Sequence, residues 1–107
     1  MEDCIFCKII RKEISADIVY EDDNQIAFKD INPKAPVHLL IIPKKHISSV
    51  NDLEKGDVEV VGNLLFAAKS VAEKVGLKDK GYKLSINVGK GGGQEVFHIH
   101  IHLLGKL

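Results

Sequence analysis

His98-Ile99-His100-Ile101-His102-Leu103-Leu104 sets three of the chain's five histidines in alternation with branched apolar residues. A period of two is that of a β-strand, whose successive side chains point to opposite faces. The pattern predicts Ile99, Ile101 and Leu103 on a core face and His98, His100 and His102 together on the other. Three imidazoles titrating near neutrality in one row serve stability poorly and chemistry well.

Just before the row, Gly89 to Gly93 reads as a glycine-rich loop. Ahead of it Tyr82, Leu84, Ile86 and Val88 alternate with Lys83, Ser85 and Asn87, the pattern of a half-buried strand. Further back, Val58, Val61, Leu65, Ala68, Ala72 and Val75 recur at helical steps, with Leu64 and Val71 widening the stripe. Gly76 stands where a helix-ending glycine belongs. Gly62, inside the helix, costs about 1 kcal/mol relative to alanine and suggests a close packing contact. Val37 to Ile42 is a nearly continuous apolar run that fits a central strand stopping at Pro43. Ile18 to Glu21 and Ile26 to Asp30 read as two short strands around an Asp22-Asp23-Asn24 turn, and Cys4 to Lys12 as a short helical piece. A small helix, three strands, a long helix and two strands make an α+β domain on an antiparallel sheet.

At 107 residues the chain suits one domain and is too short for two. Fifteen basic residues balance fifteen acidic ones, so no overall field draws it to nucleic acid or an anionic membrane. Its apolar runs are too short for a membrane span. Met1-Glu2-Asp3 does not open a signal peptide, which makes the cytoplasm the expected location. Both cysteines, Cys4 and Cys7, lie in one CxxC. A reducing compartment argues against a disulfide, and a redox motif belongs after a strand, where this one has only three residues before it. Half of a zinc site is the favoured reading, with inert thiols and redox chemistry as alternatives.

The histidine row admits three readings. As metal ligands, His98 and His102 stand about 13 Å apart on a strand, too far to share one ion easily, although an adjacent pair could. As hydrogen-bonded groups they would simply cover a polar face. As catalysts, the central imidazole would attack while its neighbours orient it or handle protons. Lys90-Gly91-Gly92-Gly93-Gln94 favours the last, because glycines let backbone amides approach an anion closely. A phosphate held there lies beside an imidazole, which points to transfer of a phosphate-centred group through histidine.

His98 to Leu104 closely resembles the signature of the histidine triad family, His-φ-His-φ-His-φ-φ with φ apolar. CIFCKIIRKEI at the start, FKDINPKAPVHLLIIPKKHI from Phe28 to Ile47, and GGQEVFHIHIHLLG from Gly92 to Gly105 are similar to its Hint branch of nucleotide-binding hydrolases. The resemblance spans almost the whole chain. It implies one histidine triad domain over residues 1–107: a five-stranded antiparallel sheet with one long and one short helix. It further implies cleavage of purine nucleoside 5′-phosphoramidates or related derivatives through a nucleotidyl-histidine intermediate. A dinucleoside polyphosphate hydrolase and a nucleotide-binding regulator are the alternatives.

Carried over residue by residue, the resemblance makes His100 the nucleophile, His102 its partner at the scissile phosphate and His38 a supporting histidine. Asp30 would accept from the ribose hydroxyls, and Phe28 and Ile31 would enclose the base. Asn87 and the backbone around Gly93, Glu95 and Val96 would meet the phosphate, with the Glu95 carboxylate turned away. Cys4 and Cys7 would hold structural zinc with His46 and His98, making His98 a ligand rather than a catalytic neighbour. A homodimer is implied, paired through the long helix and a sheet edge. Relatives of this branch usually carry a tail beyond the point where this chain reaches Leu107, and that tail bears on the leaving group.

Overall fold

A computed structural model describes residues 3–107; Met1 and Glu2, on which the reading of the chain's start partly rests, lie outside the described residues. Five strands, β1 (Ile18–Glu21), β2 (Gln25–Lys29), β3 (Val37–Pro43), β4 (Tyr82–Ser85) and β5 (Ile101–Gly105), form one sheet in the order β1-β2-β3-β5-β4. Every neighbouring pair is antiparallel. Helix α1 (Ile5–Ile10) and the longer α2 (Val58–Lys74) complete the α+β architecture, with short 3-10 turns between elements.

The two helices cover opposite faces, which explains why β3 is apolar from Leu39 to Ile42. Leu39 and Ile41 of β3 join Ala27, Ile101 and Leu103 in a core closed by Leu64, Ala67, Ala68, Val71 and Ala72 of α2. Leu40 and Ile42 face the other way, into a second core with Ile26 and Phe28 that is closed by Phe6 and Ile9 of α1. His38 and His102 belong to this second face by strand alternation. The α1 side therefore carries His38 and His102, and the α2 side the bulk of the packing.

α2 ends as its sequence predicts. Gly76 takes φ +86°, and the Leu77 amide donates back to the Ala72 carbonyl at 2.9 Å, the arrangement of a glycine stop. Leu77 then presses on Gly105: a Cβ there would lie 2.7 Å from Leu77 Cδ1, so any larger residue at the end of β5 would make the Leu77 side chain shift.

Three expectations are corrected. The α2 stripe is rotated: Ala68, Ala72, Leu64 and Val71 are buried, but Val58, Val61 and Leu65 are exposed, at 70%, 37% and 54%. Ala67, outside the expected stripe, joins Ala68 and Ala72 in the core, small side chains that let the helix approach the sheet. Nothing packs within 4 Å of a Cβ at Gly62. The histidine strand is also shorter than its alternation suggests. Ladder pairing begins at Ile101 and β4 ends at Ser85, opposite His102, rather than at Val88. His98 and His100 thus lie just outside the sheet and are buried, at 0% and 5% exposure, instead of sharing an open face.

Candidate active site

His98, His100 and His102 each have a different job because each has a different hydrogen-bond partner. His98 Nε2–H donates to the Pro43 carbonyl at 2.7 Å. Its lone pair is therefore on Nδ1, which points at Cys4 Sγ (3.5 Å), Cys7 Sγ (3.6 Å) and His46 Nδ1 (3.1 Å). Cys7 Sγ and His46 Nδ1 are 3.2 Å apart. Burial holds the His98 ring neutral, with its pKa down at about 4. Burial and the adjacent Cys4 push the Cys7 thiol up, so the pair of thiols needs a cation to ionise together.

These four donors fit a zinc ion. Zinc at about 2.3 Å from sulfur and about 2.0–2.1 Å from nitrogen sets tetrahedral edges of roughly 3.3–3.8 Å. All four donor atoms lie within 4.8 Å of one another. The His98 bond to Pro43 is the outer contact that usually orients a ligating imidazole. Cys4 is also the N-cap of α1, its sulfur accepting from the Cys7 amide at 3.4 Å. A second trio, Asp30, His38 and His102, is equally compact, but its facing nitrogens are joined by a hydrogen bond rather than presenting free lone pairs.

That trio is a proton-ordered chain. The Lys34 amide donates to His38 Nδ1 at 3.0 Å, which leaves the His38 proton on Nε2. Nε2–H then faces His102 Nδ1 at 3.0 Å and Asp30 Oδ2 at 3.4 Å. With Nδ1 accepting, neutral His102 keeps its proton on Nε2, and that buried atom has no partner among the described residues. His100 is oriented the opposite way. Its Nδ1–H donates to the His98 carbonyl at 2.7 Å, so Nε2 carries the lone pair. Phe6 packs edge-on against the His100 ring, with centroids 5.1 Å apart. A nucleophilic nitrogen and a donor N–H thus stand on adjacent rings whose centroids are 4.9 Å apart.

Both rings border one cavity of about 650 Å³, a size suited to a small-molecule ligand. The same cavity is lined by Phe28, Asp30, Ile31, Asn87, Gly93, Glu95, Val96 and His38, so every residue expected at the substrate is brought together. Ile5, Phe6, Ile9 and Ile14 add an apolar wall that the sequence reading left unassigned. The amphipathic spacing of Ile5 and Ile9 was its only signal. Lys83 and Ser85 of β4 also line the cavity.

The glycine loop uses its own amides internally. The amides of Gly92, Gly93 and Gln94 donate to carbonyls within the turn. The Gly93 carbonyl accepts from Asn87 Nδ2 at 3.4 Å. The amides of Glu95 and Val96 have no acceptor among the described residues, and both residues line the cavity. The glycines shape the turn, and the amides after it are the free ones.

Burial, then His100 and His38, lower the His102 pKa to about 4; Lys34 adds to this and Asp30 opposes it. Lys83 borders the same cavity from β4. The unfolded chain therefore binds the extra proton between about 6.5 and about 4. Stability is fully present above that window and falls as pH drops through it. In His102→Asn the urea midpoint should vary less between pH 6.5 and 4 than in the parent chain.

A histidine row with three assigned proton patterns, set on this sheet beside a glycine turn, defines the class: the chain belongs to the histidine triad family. It matches the family model for scavenger mRNA decapping enzyme C-term binding over residues 3–107. It is 51% identical over 105 residues to protein HitA of Neisseria gonorrhoeae, covering 98% of this chain and 97% of that one. It is 50% identical over 104 residues to purine nucleoside phosphoramidase of Escherichia coli (strain K12), covering 97% and 87%. The crystal structure of a HIT family hydrolase from Legionella pneumophila Philadelphia 1 superposes with a TM-score of 0.95 at 55% identity, covering 98% and 94%.

Proposed function

We propose that the chain, as one domain, hydrolyses purine nucleoside 5′-phosphoramidates through a nucleotidyl-histidine. The observation that carries this reading is the pairing of a free His100 Nε2 lone pair with an unpartnered His102 Nε2–H at one cavity. His100 Nε2 forms a bond to phosphorus as the P–N bond breaks. The Nδ1–H bond to the His98 carbonyl stabilises the cationic ring that results. His102 donates toward the oxygen or nitrogen on which charge develops, and the free amides of Glu95 and Val96 hold the remaining phosphate oxygens. Water supplies the proton with which the amine departs and the hydroxyl that later replaces His100 on phosphorus. Asp30, beside His38, would accept from two ribose hydroxyls, while Phe28, Ile31 and the α1 wall would surround the base and Asn87 would meet the phosphate.

Comparing turnover of an adenosine phosphoramidate with that of a diadenosine polyphosphate tests the leaving group. Faster release of nucleoside monophosphate from the phosphoramidate is expected. Preference for the polyphosphate would reassign the substrate, and tight nucleotide binding without turnover of either would make the chain a regulator.

The Cys4, Cys7, His46 and His98 set would hold structural zinc, tying α1 to the sheet. The chain would work in the cytoplasm as a homodimer. Val58, Leu65 and Phe66 form an exposed apolar face on α2, Phe66 at 71% exposure, with the open surface of Gly62 between them. A second copy of that face and the β4 edge would cover it. Sedimentation of the parent chain should give twice the chain mass and Leu65→Glu the single mass; a monomeric parent would refute the dimer.

A further inference from the structure

Gln94 is 4% exposed, and its side chain reaches three backbone groups from three parts of the chain. Oε1 accepts from the Gly89 amide at 2.8 Å. Nε2 donates to the Ser48 carbonyl at 2.7 Å and to the Val96 carbonyl at 3.0 Å. Its own amide donates to the Gly89 carbonyl at 3.0 Å, so Gly89 is held from both sides. Gly89 begins the glycine turn, Val96 ends the segment after it, and Ser48 belongs to the strap beyond β3. That strap is fixed in turn, because the Ile47 carbonyl accepts from the Ile99 amide at 2.6 Å, between His98 and His100.

The free amides of Glu95 and Val96 lie inside this clamp. A loop with two glycines at positive φ, Gly89 at +71° and Gly93 at +85°, has no intrinsic stiffness to hold its amides in one direction. Donors stabilise developing charge well only when they are already oriented. We infer that Gln94 is the positioning residue for the phosphate-facing amides: it touches neither phosphate nor nucleophile, and holds the loop and the histidine segment in one register. This rests on the phosphate reading of the cavity proposed above. It also accounts for a buried polar side chain with nearly all its hydrogen-bonding capacity used on backbone alone.

Removing these bonds at constant size with Gln94→Met should separate phosphate recognition from nucleoside recognition. Titration with adenosine and with adenosine 5′-monophosphate reads the two apart. The parent chain is expected to bind the monophosphate more tightly. In Gln94→Met adenosine affinity should stay within about twofold, monophosphate affinity should fall roughly tenfold or more, and kcat should fall roughly 10- to 100-fold. Unchanged monophosphate affinity and kcat, or an equal loss for both ligands, would overturn the inference.

Gln94→Glu provides the second measurement if the methionine variant fails to fold. It keeps the acceptor for Gly89 but sets a carboxylate against two carbonyl oxygens. The preference for monophosphate over adenosine should be reduced at neutral pH and recover on acidification, when the protonated acid can donate again. A preference equal to the parent's throughout would overturn the assignment. Equal affinities in the parent chain itself would instead refute the phosphate reading, which keeps the two failures distinct.

Discussion

His100→Ala is expected to lower turnover of a nucleoside phosphoramidate by at least about three orders of magnitude, with nucleotide affinity held within a few-fold. The asymmetry follows from where the ring sits. His100 Nε2 is a free lone pair at the cavity, whereas the base and ribose would be gripped by Phe28, Ile31, Asp30 and the α1 wall. Burial lowers its pKa, so the attacking nitrogen is unprotonated at neutral pH. Neighbouring His102 cannot substitute, because its lone pair on Nδ1 is engaged by His38 and its other nitrogen carries a proton. The alanine variant also loses the contact with Phe6, so its melting temperature should be read beside its rate. Quenching the parent enzyme in turnover and weighing the protein should reveal a nucleotidyl adduct absent from the variant. Full turnover by His100→Ala would refute the mechanism.

Cys7→Ser is expected to abolish metal binding and to lower the melting temperature by more than 10 °C or so. Cys7 is buried, and its sulfur stands against both His46 and His98. A weaker oxygen donor there leaves three ligands on a cation that favours four. Losing a structural metal is among the largest single-site effects, and about 3 kcal/mol corresponds to roughly 12–24 °C for a chain of this length. Metal analysis of the parent chain, prepared without chelator, should find about one zinc per chain. Cys4→Ser should reproduce the loss, and a chelator should move the parent's melting temperature toward that of the variants. Unchanged zinc in either variant would refute the site.

The parts legible in sequence were those where one physical cause acts alone. β3 was readable because its side chains are buried on two covered faces; β1, half exposed at the sheet edge, was marked instead by the turn that follows it. The helix on the sheet was readable as a helix but not in its rotation. α2 carries two apolar surfaces, and hydrophobicity weights Val58, Val61 and Leu65 above the alanines that actually meet the sheet. The histidine row alternates through its whole length, yet alternation continues past the point where partner strands stop, so pairing could not be read from it. His38 and His46 were assignable only through the family resemblance, since each looks ordinary in its local segment. Gln94 read as an ordinary loop residue: Gly89 and Val96 are near it in the chain, but Ser48, 46 residues away, is brought to it only by tertiary structure.

α1 is six residues long, too short to persist as an isolated helix. The surfaces it docks on come from much later in the chain: Phe28, His46, and above all His98 and His100. α1 precedes every surface it docks on and can be completed only after the last of them has been made. Some 90 residues separate Cys7 from His98, and translation at about 5–20 residues per second makes that an interval of roughly 5–18 s. For that time the two nascent thiols lack their full native surroundings, His46 arriving 39 residues after Cys7 and His98 last. The order of synthesis thus leaves a bare CxxC waiting until its histidines arrive.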